Sequence, residues 1–115
     1  MKRVLIAEDD HMVARTIVRI LSPHYDVVSC ANGLEAEHEL NKSPPYDIVV
    51  SDVDMPGLTG LELRDRVKTS NPRLAARFIF YTGTSVPVIE GLTVSKNEPV
   101  ASLLEVVHAV ASAQT

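Results

Sequence analysis

Apolar residues in this chain come in two alternating patterns, short unbroken runs and longer stretches at helical spacing. The unbroken runs are residues 4–7 (VLIA), residues 48–50 (IVV) and residues 78–81 (FIFY), and the segment 25–31, which holds Val27 and Val28, is strand-like. Unbroken runs of this length, rich in β-branched residues, are expected of strands buried on both faces of a parallel sheet. Within residues 11–21, Val13, Ile17, Ile20 and Leu21 recur at helical intervals, and Pro23 follows where a helix must already have stopped. Asn32-Gly33 is a turn signal leading into a second, more polar helix through Leu34, Ala36 and Leu40, which Ser43, Pro44 and Pro45 end. Leu63 and Val67 predict a third helix over residues 60–68, with Glu62, Arg64, Asp65, Arg66 and Lys68 mostly solvated. Asn71 and Pro72 break it, and a polar link leads to the run at 78–81. Residues 84–95 carry the weakest pattern, because Pro87 and Gly91 interrupt it and only residues 92–94 suggest a short strand. Pro99 suits a first helical position, and Val100, Leu103, Leu104, Val107 and Val110 mark a terminal amphipathic helix.

Strands that alternate with helices predict an α/β fold, a single doubly wound parallel five-stranded sheet with helices on both faces. In such open sheets ligands bind beyond the carboxyl ends of the strands. Glu8 and Asp9 follow the first strand, Asp52 the third, Thr82 the fourth and Lys96 the fifth. Four separated stretches are thereby expected to converge on one crevice. Asp52 opens a loop in which Met55, Pro56, Gly57 and Gly60 supply a turn, so a carboxylate is held above a rigid strand.

Composition narrows the reading. A length of 115 residues with 45% apolar content fits one domain over residues 1–115, and any effector domain is expected to lie elsewhere. The formal charge of −4 comes from interspersed acids and bases without a basic stripe, so direct nucleic-acid binding is not expected. A lone Cys30 is expected as a small buried strand residue rather than a reactive thiol. The apolar run after Lys2 and Arg3 is too short for a signal peptide, and no run is long enough to span a membrane, which together imply a cytoplasmic protein. His11, His24, His38 and His108 lack metal-ligand spacing and read as surface residues.

Three carboxylates in one small cleft repel, which raises their pKa values unless a cation offsets the charge. Mg²⁺ is the natural candidate, since it takes hard oxygen ligands and needs only one or two carboxylates beside waters and phosphate oxygens. Lys96 adds a positive charge and Thr82 a hydroxyl donor. The set suits phosphoryl transfer, in which positioning and charge neutralisation dominate, with Asp52 as the plausible nucleophile.

These residues resemble those of a two-component response-regulator receiver domain, along nearly the whole chain. VLIAEDD is similar to that family's first strand and acidic pair, DIVVSDVDMPGLTGLEL to its phosphoacceptor strand and loop, YTG to its hydroxyl position and SK to its lysine. The resemblance implies a flavodoxin-like fold. It also implies that Asp52 accepts a phosphoryl group from a sensor histidine kinase or phosphotransfer protein, with Mg²⁺ bound by Asp9, Asp52 and the backbone carbonyl of Asp54. Glu8 would act through a water on the metal, Thr82 would hydrogen-bond the phosphoryl group and Lys96 would pair with it. An output partner or effector domain is implied but not identified, and no enzymatic turnover beyond self-directed phosphoryl transfer and autodephosphorylation is expected.

Departures from the family pattern are equally specific. The stretch from Thr82 to Lys96 is short by roughly two helical turns or more, so the fourth helix is expected to be truncated or absent. Thr93 stands where such domains often carry an aromatic, and Asn97 rather than proline follows Lys96. These changes leave open a receiver-like interaction module that is not phosphorylated. Asp52-Val53-Asp54 is also similar to the nucleophile motif of haloacid-dehalogenase-like phosphatases. That family, however, places its acidic metal pair after the lysine, where this chain has only Glu98 and Glu105.

Overall fold

A computed structural model describes residues 1–42, 44–83 and 92–113 of the chain. Its elements are β1 (Arg3–Ala7), α1 (His11–Leu21), β2 (Asp26–Cys30), α2 (Gly33–Leu40), β3 (Ile48–Ser51), α3 (Gly60–Ser70), α4 (Pro72–Ala75), β4 (Phe78–Thr82), β5 (Leu92–Ser95) and α5 (Val100–Ser112). The five strands pair in parallel in the order β2-β1-β3-β4-β5. The chain leaves β1 in one direction to reach β2 and then crosses back to β3, so the winding reverses between β1 and β3.

Strand side chains point alternately to the two faces, and each face has its own apolar core. Val4, Ile6, Ile48, Val50, Ile79 and Tyr81 pack with Ile17 and Leu21 of α1 and Leu103 and Val107 of α5. Leu5, Ala7, Val49, Phe78 and Phe80 pack on the opposite face with Ala36 of α2, Leu63 and Val67 of α3 and Leu74 of α4. A strand with a helix layer on each side has no solvent face, which is why its sequence is apolar without interruption.

The helix starts are fixed by side chains that accept the first free amide hydrogens. Asp10 accepts from the N–H groups of Met12 and Val13, Asn32 from that of Glu35, and Thr59 and Glu62 form a reciprocal capping box. Asp10 thereby begins α1 immediately after the acidic pair.

Several expectations need correction. The polar link after Asn71 contains the short helix α4, and its Leu74 and Ala75 are buried. Leu34, one of the apolar residues along α2, is 57% exposed, whereas Ala36 is fully buried. Pro99 is not the first helical residue but the cap before it. His108 is half-buried, with its Nδ1 hydrogen-bonded to the Tyr25 hydroxyl. Cys30 is buried as expected, and burial first, then Glu35 and Glu39, push its thiol up to about 12. The expectation of a truncated or absent helix between β4 and β5 falls on residues 84–91, outside the described residues. Among the described residues no helix is long and apolar enough to cross a membrane.

Truncation of a core contact and of the exposed leucine should therefore differ sharply. Ile17→Ala, which empties a position only 1% exposed between α1 and the sheet, should lower the unfolding free energy by about 2–5 kcal/mol. Leu34→Ala should change it by less than about 0.5 kcal/mol. Urea titration of both variants checks the pair, and equal losses would contradict the assigned rotation of α2.

Candidate functional site

Each polar residue that ends an apolar strand arrives at the same end of the sheet. Glu8 and Asp9 follow β1, Asp52 follows β3, Thr82 ends β4 and Lys96 follows β5. Backbone pairing carries on one step beyond the strands and fixes these positions. The N–H of Glu8 donates to the Cys30 carbonyl at 3.0 Å, that of Asp52 to Ala7 at 2.9 Å and that of Lys96 to Thr82 at 2.9 Å. The crevice lies over the reversal between β1 and β3, where open α/β sheets bind their ligands.

One ammonium ties the ends of three strands together. Lys96 Nζ lies 2.8 Å from Glu8 Oε1 and 2.9 Å from Asp52 Oδ2, reaching across β4 from the edge strand β5. Glu8 is 2% exposed and Asp52 7%, whereas Asp9 is exposed. The other oxygen of Asp52, Oδ1, accepts the N–H of Asp54 at 3.3 Å, and Oε2 of Glu8 accepts the N–H of Asp10 at 3.2 Å. Thr82 is buried at 3% exposure, and its carbonyl accepts the N–H of Lys96. Thus Glu8, Asp9, Asp52 and Lys96 are assembled at one place, with Thr82 at the end of the intervening strand. Asp54 is exposed and joins through its backbone amide, and its carboxylate is not part of the cluster.

The electrostatics are those of an acidic cleft with too little positive charge. Glu8, Asp9 and Asp52 each offer a carboxylate oxygen within 4.8 Å of the others, so the ionised cleft sets three negative charges against the one ammonium of Lys96. Glu8 shows the consequence. Burial, with a smaller push from Asp52, raises its pKa to about 7 despite the opposing hydrogen bonds from Lys96 and the Asp10 amide. Burial alone would pull the Lys96 ammonium down, but Glu8 and Asp52 together hold it above the ordinary lysine value. A closely spaced set of hard carboxylate oxygens with two surplus negative charges fits a divalent cation such as Mg²⁺.

Three features of the loop after Asp52 escaped the sequence reading. Gly60 is not only a turn residue, because it starts α3 and a Cβ there would come within 2.1 Å of the Asp52 carbonyl oxygen. Gly33 likewise begins α2 where a Cβ would meet the Leu58 carbonyl at 2.4 Å. Ser51 donates its hydroxyl to the Asp52 carbonyl at 2.8 Å. Only Gly57 meets the expectation of a special backbone angle, with φ of 79°. Val53, Met55 and Leu58 are buried, so the loop is anchored by apolar side chains rather than left loose above the strand.

Comparison with known proteins gives a consistent picture. The family model "Response regulator receiver domain" matches residues 4–101. The response regulator receiver protein CpdR of Brucella abortus is 36% identical over 80 residues, covering 69% of this chain and 66% of that protein. The 3',5'-cyclic-nucleotide phosphodiesterase regA of Dictyostelium discoideum is 34% identical over 86 residues, 73% of this chain and 11% of that protein. The chain thus spans from 11% to 66% of the length of these relatives. Among solved structures, the response regulator TrrA of Thermotoga maritima, in complex with Mg²⁺ and BeF, has a TM-score of 0.82 at 27% identity, covering 96% of this chain and 99% of that one. A response regulator receiver protein from Sinorhizobium medicae shares the fold at a TM-score of 0.86 and 18% identity, covering 97% and 95% of the two chains.

Two outcomes follow from the packing and charge of the cleft. Since the folded protein holds a proton on Glu8 up to about pH 7 and the unfolded chain releases it near 4.5, the folded state binds more protons between these values. Its stability without metal should therefore fall as pH rises through that window. Thermal midpoints in EDTA should show this decline in the parent protein and a flatter profile in Glu8→Gln, and identical slopes would remove Glu8 as the cause. Gly60→Ala, which presses on the Asp52 carbonyl, should be destabilising by about 1–3 kcal/mol, measured by denaturant titration.

Proposed function

The chain belongs to the response regulator receiver domain family of two-component signalling, and from that premise we propose that it is a phosphoacceptor whose Asp52 takes a phosphoryl group from a phosphohistidine. The donor is a sensor histidine kinase or a phosphotransfer protein. The observation that carries the reading is the setting of Asp52, a nearly buried carboxylate beside Glu8 and Asp9 with Lys96 Nζ at 2.9 Å. No ordinary structural role for a strand-end aspartate calls for all of these neighbours.

In the proposed reaction a carboxylate oxygen of Asp52 attacks phosphorus, the new O–P bond makes an acyl phosphate, and the P–N bond to the donor's imidazole breaks with its electrons leaving on nitrogen. The carboxylates of Asp9 and Asp52, with the backbone carbonyl of Asp54 and Glu8 acting through a water, would hold Mg²⁺. When bound, it supplies the positive charge that offsets the phosphoryl oxygens. The complex of TrrA with Mg²⁺ and BeF supports an equivalent affinity here. Lys96 orients Asp52 beforehand. Once Asp52 is phosphorylated, its oxygen no longer carries the full charge that held the ammonium, and Lys96 shifts its pairing to the phosphoryl group. Thr82, at the end of β4 and joined to Lys96 through the backbone, offers its hydroxyl to the same group. The domain turns over no external substrate in this reading, since the nucleophile stays modified until water releases it.

A second reading, an interaction module without phosphorylation, has its own observation. Only nine residues separate Thr82 from Leu92, fewer than the dozen or more that usually join parallel strands, and Thr93 is exposed.

Acetyl phosphate with Mg²⁺ separates the two. A single labile phosphoryl adduct should form by intact mass and disappear in Asp52→Asn or in EDTA. Lys96→Ala should slow its formation on the order of 10- to 100-fold, the loss of one charge-assisted contact. Absence of any adduct and of Mg²⁺-dependent beryllofluoride binding would select the unphosphorylated module, and steady phosphate release from organic phosphates would indicate a phosphatase.

A further inference from the structure

The sheet ends at β2, and the backbone there is half unpaired. Asp26 donates its N–H to the Lys2 carbonyl at 3.0 Å and the Cys30 carbonyl accepts from Glu8 at 3.0 Å, so residues 26, 28 and 30 direct their backbone groups to β1. Because these groups alternate along a strand, the N–H and C=O groups of Val27 and Ser29 point to the open side. No strand lies beyond β2 among the described residues.

Above this edge runs a row of basic side chains, two of them arginines. His11, Arg15 and Arg19 occur at every fourth position of α1, are exposed, and line a groove of about 410 Å³ together with Ala14, Val18 and Ser29. Neither arginine enters an ion pair or a side-chain hydrogen bond among the described residues. This concentrates positive charge along one groove of a chain whose net charge is −4. Four residues of helix advance about 6 Å, and two residues of strand about 6.6 Å. The two repeats agree closely enough that flexible arginines absorb the difference over two or three steps.

We propose that the open edge of β2 and the row of basic side chains on α1, led by Arg15 and Arg19, together bind an extended acidic segment of a partner protein. The segment adds to the sheet as a sixth strand, hydrogen-bonds the outward backbone groups of Val27 and Ser29, and places acidic side chains at alternate positions against Arg19, Arg15 and His11. The backbone supplies affinity and the alternating acids supply selection. A helical ligand would leave the strand edge unused. An anionic membrane would find too little apolar surface, since only Ala14 and Val18 floor the groove.

The test uses a blocked seven-residue peptide alternating glutamate and threonine, with its lysine-for-glutamate counterpart as control. Titration followed by amide hydrogen exchange should show saturable binding that protects the amides of Val27 and Ser29, and no binding of the control. Arg15→Glu with Arg19→Glu should weaken binding at least about tenfold. Ser29→Pro should abolish it without unfolding the domain, since it removes an N–H that faces away from β1 and proline is tolerated at such edges. Thermal midpoints verify that both variants fold; if the proline variant does not, protection of the Val27 and Ser29 amides in the parent protein and in the Arg15→Glu, Arg19→Glu variant is the readout in its place. Equal binding by either folded variant, protection elsewhere, or binding only by a helix-locked acidic peptide or by anionic vesicles would overturn the proposal.

Discussion

Three carboxylates are brought together where the winding of the sheet reverses, and a single lysine opposes them. Most of the local architecture answers to that imbalance. Glu8 and Asp52 leave adjacent strands, so the parallel pairing of β1 with β3 itself forces their charges together. Lys96 comes from the edge strand β5, two strands away from β3, and spans β4 to meet both. The ion pairs lie where solvent screening is weak, and breaking one would leave a buried carboxylate without its counter-charge. Even so, the compensation is incomplete, and the raised pKa of Glu8 is the sign of it. A cleft that retains unneutralised charge in its resting form has reason to favour a cation and, with the cation, the oxygens of a phosphoryl group.

Holding such a cleft requires a rigid frame, and the loop after Asp52 supplies it through close packing. Gly60 lets the start of α3 rest directly on the Asp52 carbonyl, and Gly33 does the same for α2 against Leu58. Buried Val53, Met55 and Leu58 connect the loop to the α2–α3 core. The backbone carrying Asp52 is therefore pressed from its helix side and hydrogen-bonded to Ala7 on its strand side. In the proposed reaction, charge rearrangement at Asp52 would have two structural outlets, the loop and the lysine. The lysine leads to β5, an edge strand paired through β4 in which Leu92 and Thr93 are exposed.

What the sequence disclosed and what it hid divide along the same physical line. The central strands β1, β3 and β4 were legible because burial on both faces leaves almost no polar position, and Glu8, Asp9, Asp52 and Thr82 were legible because they stand where such runs stop. Lys96 follows a short, half-exposed strand, and it was the resemblance that singled it out there. Features that depend on contacts between distant parts of the chain left little local trace. Helix α4 has four residues, and its buried Leu74 and Ala75 form no period to recognise. The exposure of Leu34, by contrast, follows from helical spacing, since Ala36 and Leu40 share one face and Leu34, two residues before Ala36, falls on the other. The requirement for glycine at position 60 comes from the Asp52 carbonyl folding over it, although the residue itself was visible as a turn former.

Helix α1 links the acidic cleft with the basic edge while keeping them apart. It starts at the cap supplied by Asp10, next to the acidic pair, and buries Ala14, Ile17 and Leu21. Its remaining surface is divided. Met12, Val13 and Thr16 border a small apolar depression with Tyr81 and Val100, on the side of α5. His11, Arg15 and Arg19 border the groove on the side of β2. A strand added to β2 would lie along the latter and leave the former, and the approach to Asp52 between the ends of β1 and β3, uncovered. Because the two sides of one helix have different chemistry, two partners can address the domain by different rules, one by reach to a buried carboxylate and the other by charge spacing along an edge.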